Sequence, residues 1–345
     1  LERTQLDFGG YTSFTALWLD DSAGNERRLL QPELGLYARA SIDGVHTAFA
    51  RAKFQYRDYS AGDSFDGRGD RFTVPFMDRY WYEFDLRRAL SVYDNRTTDF
   101  NFNLRVGRQY VDWGASLALS DVLYAARPTI EFAPWLRFTG LVGYTPGYTV
   151  DFDASRINFD SETQRGFIGG MLSYVLPNGS EIYAYELYTE DFNGEDRART
   201  LPLSGVNFKY NSHYLGLGTV GSVGSNWQFL GELVFQLGIS QSDPLVGPQR
   251  QQEVFAFAGR AQGSYLFRDT MQTRVQLETL FASGDKDRRV STDTIGGNLP
   301  GTTDRAFNSL GFANTGLAFA PSLSNLWTVR GSVSTYPFRT TEWLE

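Results

Sequence analysis

Cysteine is absent from this 345-residue chain. That removes disulfide frameworks, thiolate metal sites and cysteine nucleophiles together. It also suits a polypeptide that crosses an oxidising compartment unfolded, where no wrong disulfide can then form. Histidine occurs twice, at His46 and His213, so a hydrolase built on a nucleophile and a histidine base has almost no material. No run of about eighteen apolar residues occurs, so no transmembrane helix is available. Positive charge is also short: the net charge is −8, which argues against a nucleic-acid partner.

Aromatic residues and glycine are plentiful. Phe, Trp and Tyr make up 15% of the chain, and there are 35 glycines. Hydrophobicity alternates with a period of two through most of the sequence. Ala50, Ala52, Phe54 and Tyr56 oppose Arg51, Lys53, Gln55 and Arg57. Phe100, Phe102, Leu104 and Val106 oppose Asn101, Asn103 and Arg105, and Val275 and Leu277 oppose Arg274, Gln276 and Glu278. The connections fall into two sets. Asp43-Gly44, Pro146-Gly147, Pro177-Asn178-Gly179, Ser225-Asn226, Arg268-Asp269 and Ser324-Asn325 are tight, whereas Asp20–Arg28, Ser60–Thr73, Asn193–Leu201, Gln241–Gln251 and Asp285–Arg305 are long and polar. Short turns on one rim and long loops on the other mark a transmembrane barrel. Trp18, Tyr59, Tyr80, Tyr188, Trp227 and Trp327 stand near strand ends, where aromatic rings meet lipid headgroups.

The pattern predicts an all-β fold: a transmembrane, antiparallel up-and-down β-barrel of about 16 strands (16–18), with short periplasmic turns and long extracellular loops. The strands are expected at Thr4–Leu19, Leu29–Ile42, His46–Tyr59, Val74–Leu90, Asp99–Trp113, Phe132–Thr145, Tyr148–Asn158, Gln164–Leu176, Glu181–Phe192, Ser204–Val223, Trp227–Ser240, Gln252–Phe267, Met271–Gly284, Asn308–Ala320 and Leu326–Tyr336. This count is odd, whereas bacterial single-chain barrels close with an even one. The expectation is therefore a single outer-membrane barrel domain over Leu1–Glu345 that lacks one or more closing C-terminal strands. No signal peptide is visible, so the chain reads as mature or trimmed.

If the apolar face meets lipid, the other lines the lumen. Its basic members are Arg39, Arg51, Lys53, Arg57, Arg87, Arg105, Arg260, Arg274 and Arg330, joined by Arg108 if Gly107 marks a bulge. Glu33, Glu83, Asp85, Glu186, Glu232 and Glu278 are its acids. These charges either pair across the wall as filler or make an electropositive channel that draws in anions. The apolar stretch Gly114–Glu131 is expected to fold inward as a constriction or to rest on the rim.

Val106-Gly107-Arg108-Gln109-Tyr110, followed by Asp112-Trp113-Gly114, resembles the alginate-export family of outer-membrane β-barrel proteins. Leu310–Phe338, a Gly/Ala-rich strand, a short turn and a strand ending Tyr-Pro-Phe, is similar to it as well. The resemblance implies an Arg-rich pore at the cell outer membrane that passes an anionic polysaccharide or another anionic solute. It also implies further strands after the Tyr-Pro-Phe region. The expected function is an outer-membrane channel or porin without catalysis or cofactor. Its partners are expected to be outer-membrane lipids, the solute, and periplasmic proteins of a secretion complex. The alternatives are a non-conducting barrel that scaffolds an envelope-spanning complex, and an outer-membrane hydrolase.

Other motifs carry less. Gly216-Leu-Gly218-Thr-Val-Gly221 matches a dinucleotide fingerprint in letters but lacks the helix that must follow. It reads as small residues packing on a strand. Ser212-His213 has no third partner. Asp63, Asp66 and Asp70 depart from calcium-loop spacing and read as a solvated loop.

Overall fold

The computed structural model describes residues 3–20, 26–60, 70–146, 164–192, 209–243, 246–288, 298–311, 313, 315 and 321–336. These form an antiparallel up-and-down sheet. Its strands are β1 (Thr4–Asp20), β2 (Glu26–Ile42), β3 (His46–Tyr59), β4 (Arg71–Asp85), β5 (Asn101–Trp113), β6 (Leu119–Ala133), β7 (Leu136–Tyr144) and β8 (Arg165–Val175). They continue as β9 (Glu181–Asp191), β10 (Asn211–Val223), β11 (Trp227–Gln241), β12 (Gln251–Leu266), β13 (Arg274–Ala282), β14 (Leu310–Gly311) and β15 (Leu326–Ser334). One helix, α1 (Leu86–Tyr93), joins β4 to β5. Sequence neighbours are sheet neighbours from β1 to β13, and β15 follows β13.

Parity changes the reading. Of the fifteen strands, β14 lies off the main path and pairs parallel with β6. Among the described residues the main path therefore holds fourteen strands, an even number. Leu119–Ala133, expected mostly as an inward loop, is a wall strand, and among the described residues Asn308–Ala320 contributes the two residues of β14. Tyr148–Asn158 lies outside the described residues, and β7 pairs directly with β8. The odd count thus gives no ground for a missing strand. Among the described residues, no pairing joins β15 to β1.

On one rim the short connections fall between β2 and β3, β6 and β7, β8 and β9, β10 and β11, and β12 and β13; on the other rim the β5–β6 connection, Gly114–Ala118, is short as well. Asp43 and Gly44 have φ of 54° and 69°, the paired positive values that let a tight hairpin follow the strand twist. Pro134-Trp135 is a tight turn that the alternation concealed, whereas Pro146 leads into the longer β7–β8 connection. The expected strand Val74–Leu90 stops at Asp85. There the carboxylate accepts the Arg88 amide at 2.9 Å and caps α1, satisfying a donor that the first helical turn leaves free.

Two compact units are present: Leu1–Tyr110 with Val122–Pro128, and Val111–Asp121 with Thr129–Glu345. In the first, Leu6, Phe8, Phe14, Leu36, Tyr82 and Val106 are exposed on one face. In the second, Ile168, Leu217, Phe235, Phe257, Leu277 and Val329 are exposed on one face. Rows of bare aliphatic and aromatic side chains at this density belong against hydrocarbon, which places this face in lipid. Trp18, Tyr80, Trp227 and Trp327 are exposed, as an interfacial belt requires. Tyr59 is not: it is buried, on the opposite phase of β3.

A lipid face makes substitution costs depend on parity. Leu217→Arg is expected to destabilise the barrel by about 2–4 kcal/mol, whereas Ser332→Arg on the other face leaves stability within about 0.5 kcal/mol. Urea titration of barrels folded into lipid vesicles measures both.

Candidate functional site: the polar face of the sheet

In the first unit the polar face is a ladder of ion pairs. β3 and β4 change register between Arg51 and Ala52, and the extra residue is Asp78. The bulge brings Asp78 onto Arg51, whose guanidinium grips both carboxylate oxygens, one at 2.8 Å. Lys53 Nζ lies 2.9 Å from Glu33, which also accepts from the Tyr11 hydroxyl at 2.6 Å. Arg105 Nε donates to Glu83 at 2.6 Å, and its guanidinium covers the Trp81 ring at 4.4 Å. Trp81 stacks on Phe49 at 5.5 Å and Phe49 on Tyr37 at 6.0 Å. Arg39 shares this face, opposite Asp7 and Phe49 in the register. Arg57 stands opposite Arg71.

Two expected basic lumen residues lie elsewhere. Arg87 belongs to α1, where its amide donates to Asn101 Oδ1 at 2.9 Å and its guanidinium to the Asp99 carbonyl at 2.7 Å. Arg108 faces the other way. The β4–β5 register is unbroken from Asp85↔Asn103 to Tyr80↔Arg108, so Gly107, although its φ is +134°, inserts no extra residue. Arg108 therefore shares the face of exposed Tyr80, and its guanidinium lies 5.7 Å over the Tyr124 ring.

In the second unit Glu278 is the shared partner of Arg260 (3.0 Å) and Arg330 (2.8 Å). Arg274, on the same face of β13, donates to Ser264 Oγ at 3.0 Å. Sequence reasoning missed Arg137, which pairs with Glu181 at 2.6 Å, and the buried Arg165, 3.6 Å from Asp191. Both occupy the polar phase of their strands, a signal that the alternation held. Glu186, expected in the lumen, lies instead on the apolar face, 2.8 Å from His213. Ser212 is buried while its neighbour His213 is exposed, so the two lie on opposite faces and form no dyad. Cβ atoms at Gly216 and Gly218 would collide with the Tyr185 and Tyr183 rings, which is the small-residue packing expected of that motif. Asp70 accepts the Tyr59 amide at 2.6 Å; Asp63 and Asp66 lie outside the described residues.

Two segments cover the polar face of the second unit. The β5–β6 tip, Gly114–Ala118, enters as the inward reading of that stretch expected. The Ala115 amide donates to Glu232 at 2.5 Å, and its carbonyl accepts from Arg260 at 3.3 Å. Glu232 also accepts from the Tyr183 and Tyr185 hydroxyls at 2.6 and 3.1 Å. The second segment, Asn298–Gly311, buries Phe307 and Asp304. Gln236 Oε1 accepts the Asn308 amide at 2.9 Å, and the Tyr214 hydroxyl donates to the Asn308 carbonyl at 2.7 Å.

No protein-family model matches the chain, and no curated protein matches it. Among solved structures it is similar to OmpT, an outer membrane protein of Vibrio cholerae, at 9% identity over 82% of this chain and 87% of that chain, TM-score 0.36. The trimer form of the same protein matches at 8% identity over 97% and 99%, TM-score 0.36. An anion-selective porin from Comamonas acidovorans matches at 11% identity over 89% and 96%, TM-score 0.34. The apolar strand face and the two classes of connection identify an up-and-down β-barrel of the cell outer membrane.

The pairings rank the polar-face residues by stability. Glu278→Ala removes the carboxylate that Arg260 and Arg330 share and is expected to cost about 1.5–3 kcal/mol. Arg39→Ala, which removes an exposed side chain, stays within about 0.5 kcal/mol. Equilibrium unfolding of the two variants in one detergent compares them.

Proposed function

We propose that the chain is an outer-membrane channel that favours anionic solutes and performs no catalysis. The supporting observation is the imbalance at β13: Arg260 and Arg330 share one carboxylate, while Arg274 donates to a neutral hydroxyl. In the first unit Arg39, Arg51, Lys53, Arg57 and Arg105 share their face with Asp7, Glu33, Asp78 and Glu83, and Asp85 at its edge is taken up by the cap of α1. Low-dielectric walls focus such an excess along a pore and raise the local anion concentration. A solute with repeated negative charge gains most. An anionic polysaccharide, the cargo implied by the resemblance to the alginate-export family, is the largest solute of that class.

A second reading, a non-conducting scaffold for periplasmic secretion proteins, draws on the tip and the Asn298–Gly311 segment that cover the polar face. Reversal potentials in a salt gradient across planar bilayers separate the two. An anion-preferring current is expected, and Arg39→Glu with Arg274→Glu lowers or inverts the preference. The change shrinks near 1 M salt, where the Debye length is about 3 Å. Unchanged selectivity in a folded double variant sinks the electropositive pore, and absence of current favours the scaffold.

A further inference from the structure

The β5–β6 tip buries Leu117 and Ala118 and bonds to the wall through the main chain of Ala115. Ala115 offers its amide to Glu232 and its carbonyl to Arg260. Gly114 has φ of +61°, and a Cβ there would strike Glu232 and the Tyr185 ring, so the backbone itself is what docks. Glu232 is prepared for this amide by the hydroxyls of Tyr183 and Tyr185. The tip is also joined to the second covering segment. Leu310 donates its amide to the Ala118 carbonyl at 3.0 Å, and β14 pairs with Leu119 and Ser120. Tip and segment therefore cohere with each other through main-chain bonds. The tip grips the wall through polar contacts that water is able to replace.

The docked arrangement carries a penalty as well. Trp113, beside the tip, is fully buried, with its ring 6.2 Å from Tyr185. Its indole N–H has no partner among the described residues. A buried donor left unpaired favours any arrangement that returns it to water.

We propose that the tip is a gate over the polar face, with Glu232 and Arg260 as the latch that holds Ala115 in the closed position. This rests on the channel reading, because a gate needs a pore to close. Opening breaks the two Ala115 hydrogen bonds, returns Glu232 and the Trp113 indole to water, and uncovers the face of β9, β11 and β12.

Natural absence of cysteine gives a clean reporter. Leu117→Cys places a thiol at a buried tip position. In the folded barrel it is expected to react slowly with a membrane-impermeant maleimide, and about tenfold faster when Glu232→Gln or Gly114→Ala weakens the latch. Tyr183→Phe with Tyr185→Phe keeps both rings and removes only the hydroxyls, so it weakens the latch even where Glu232→Gln fails to assemble. The same variants, without the reporter, are expected to show larger single-channel conductance and faster uptake of neutral oligosaccharides into vesicles. Ser332→Ala, on β15 and paired with Gln276 rather than with a latch strand, leaves both readouts unchanged. Unchanged labelling in all folded latch variants overturns the latch. Faster labelling without increased conductance in a conducting barrel overturns the gate. If wild type and variants alike carry no current, the channel reading fails, while labelling still decides whether the latch exists.

Discussion

A strand that crosses hydrocarbon must hand every backbone N–H and C=O to a neighbouring strand, because lipid supplies no partner for them. That demand orders the rest of the molecule. It makes the wall a sheet of sequence neighbours, with register kept over most strand pairs. It also turns a period of two into a division of labour, with Leu217, Phe235 and Leu277 on one face and Glu232, Arg260 and Glu278 on the other. The irregularities fall where a side chain has to be re-aimed. The β4 bulge is the clearest: without the extra residue Asp78, Arg51 would lose its carboxylate.

The polar face is partly satisfied and partly covered. Ion pairs fill the first unit's face along β2–β5, and each carboxylate there has a named donor, as Glu33 has Lys53 and Tyr11. In the second unit the chain's own backbone does part of the work: Ala115 and Asn308 bring main-chain groups to Glu232, Arg260, Gln236 and Tyr214. Buried polar side chains such as Gln236 are tolerable there because the covering segments supply partners.

Much of this was legible because water-facing and lipid-facing residues alternate by type. β3 and β13 show the alternation cleanly, and their polar residues Arg51, Lys53, Arg274 and Glu278 lie where it placed them. β6 was illegible for a physical reason. At its start the inward residues Leu119, Leu123 and Ala125 are buried and apolar, so up to Ala125 only Asp121 marks the inward phase and the period shows late, at Arg127, Thr129 and Glu131. Asn308–Ala320 misled in the opposite way: its alternation suggested a wall strand, whereas Leu310 and Gly311 pair against the inside of β6. Helix α1 was written in Asp85 followed by Leu-Arg-Arg-Ala-Leu, a cap and helix formers that the preceding alternation overshadowed. The bulge at Asp78 left no mark in the pattern. The bulge expected at Gly107 is absent, which moved Arg108 to the other face.

The central claim is that one face of this sheet meets lipid and the other a polar lumen. Single cysteines placed in turn from Thr328 to Val333, in the cysteine-free chain assembled in vesicles, test it most directly. Positions 328, 330 and 332 are expected to react with a membrane-impermeant thiol reagent. Fluorophores at 329, 331 and 333 are expected to be quenched by spin-labelled lipid chains. Uniform reactivity along the strand, or the two sets exchanged, would contradict the assignment of the faces and the lumen built on it.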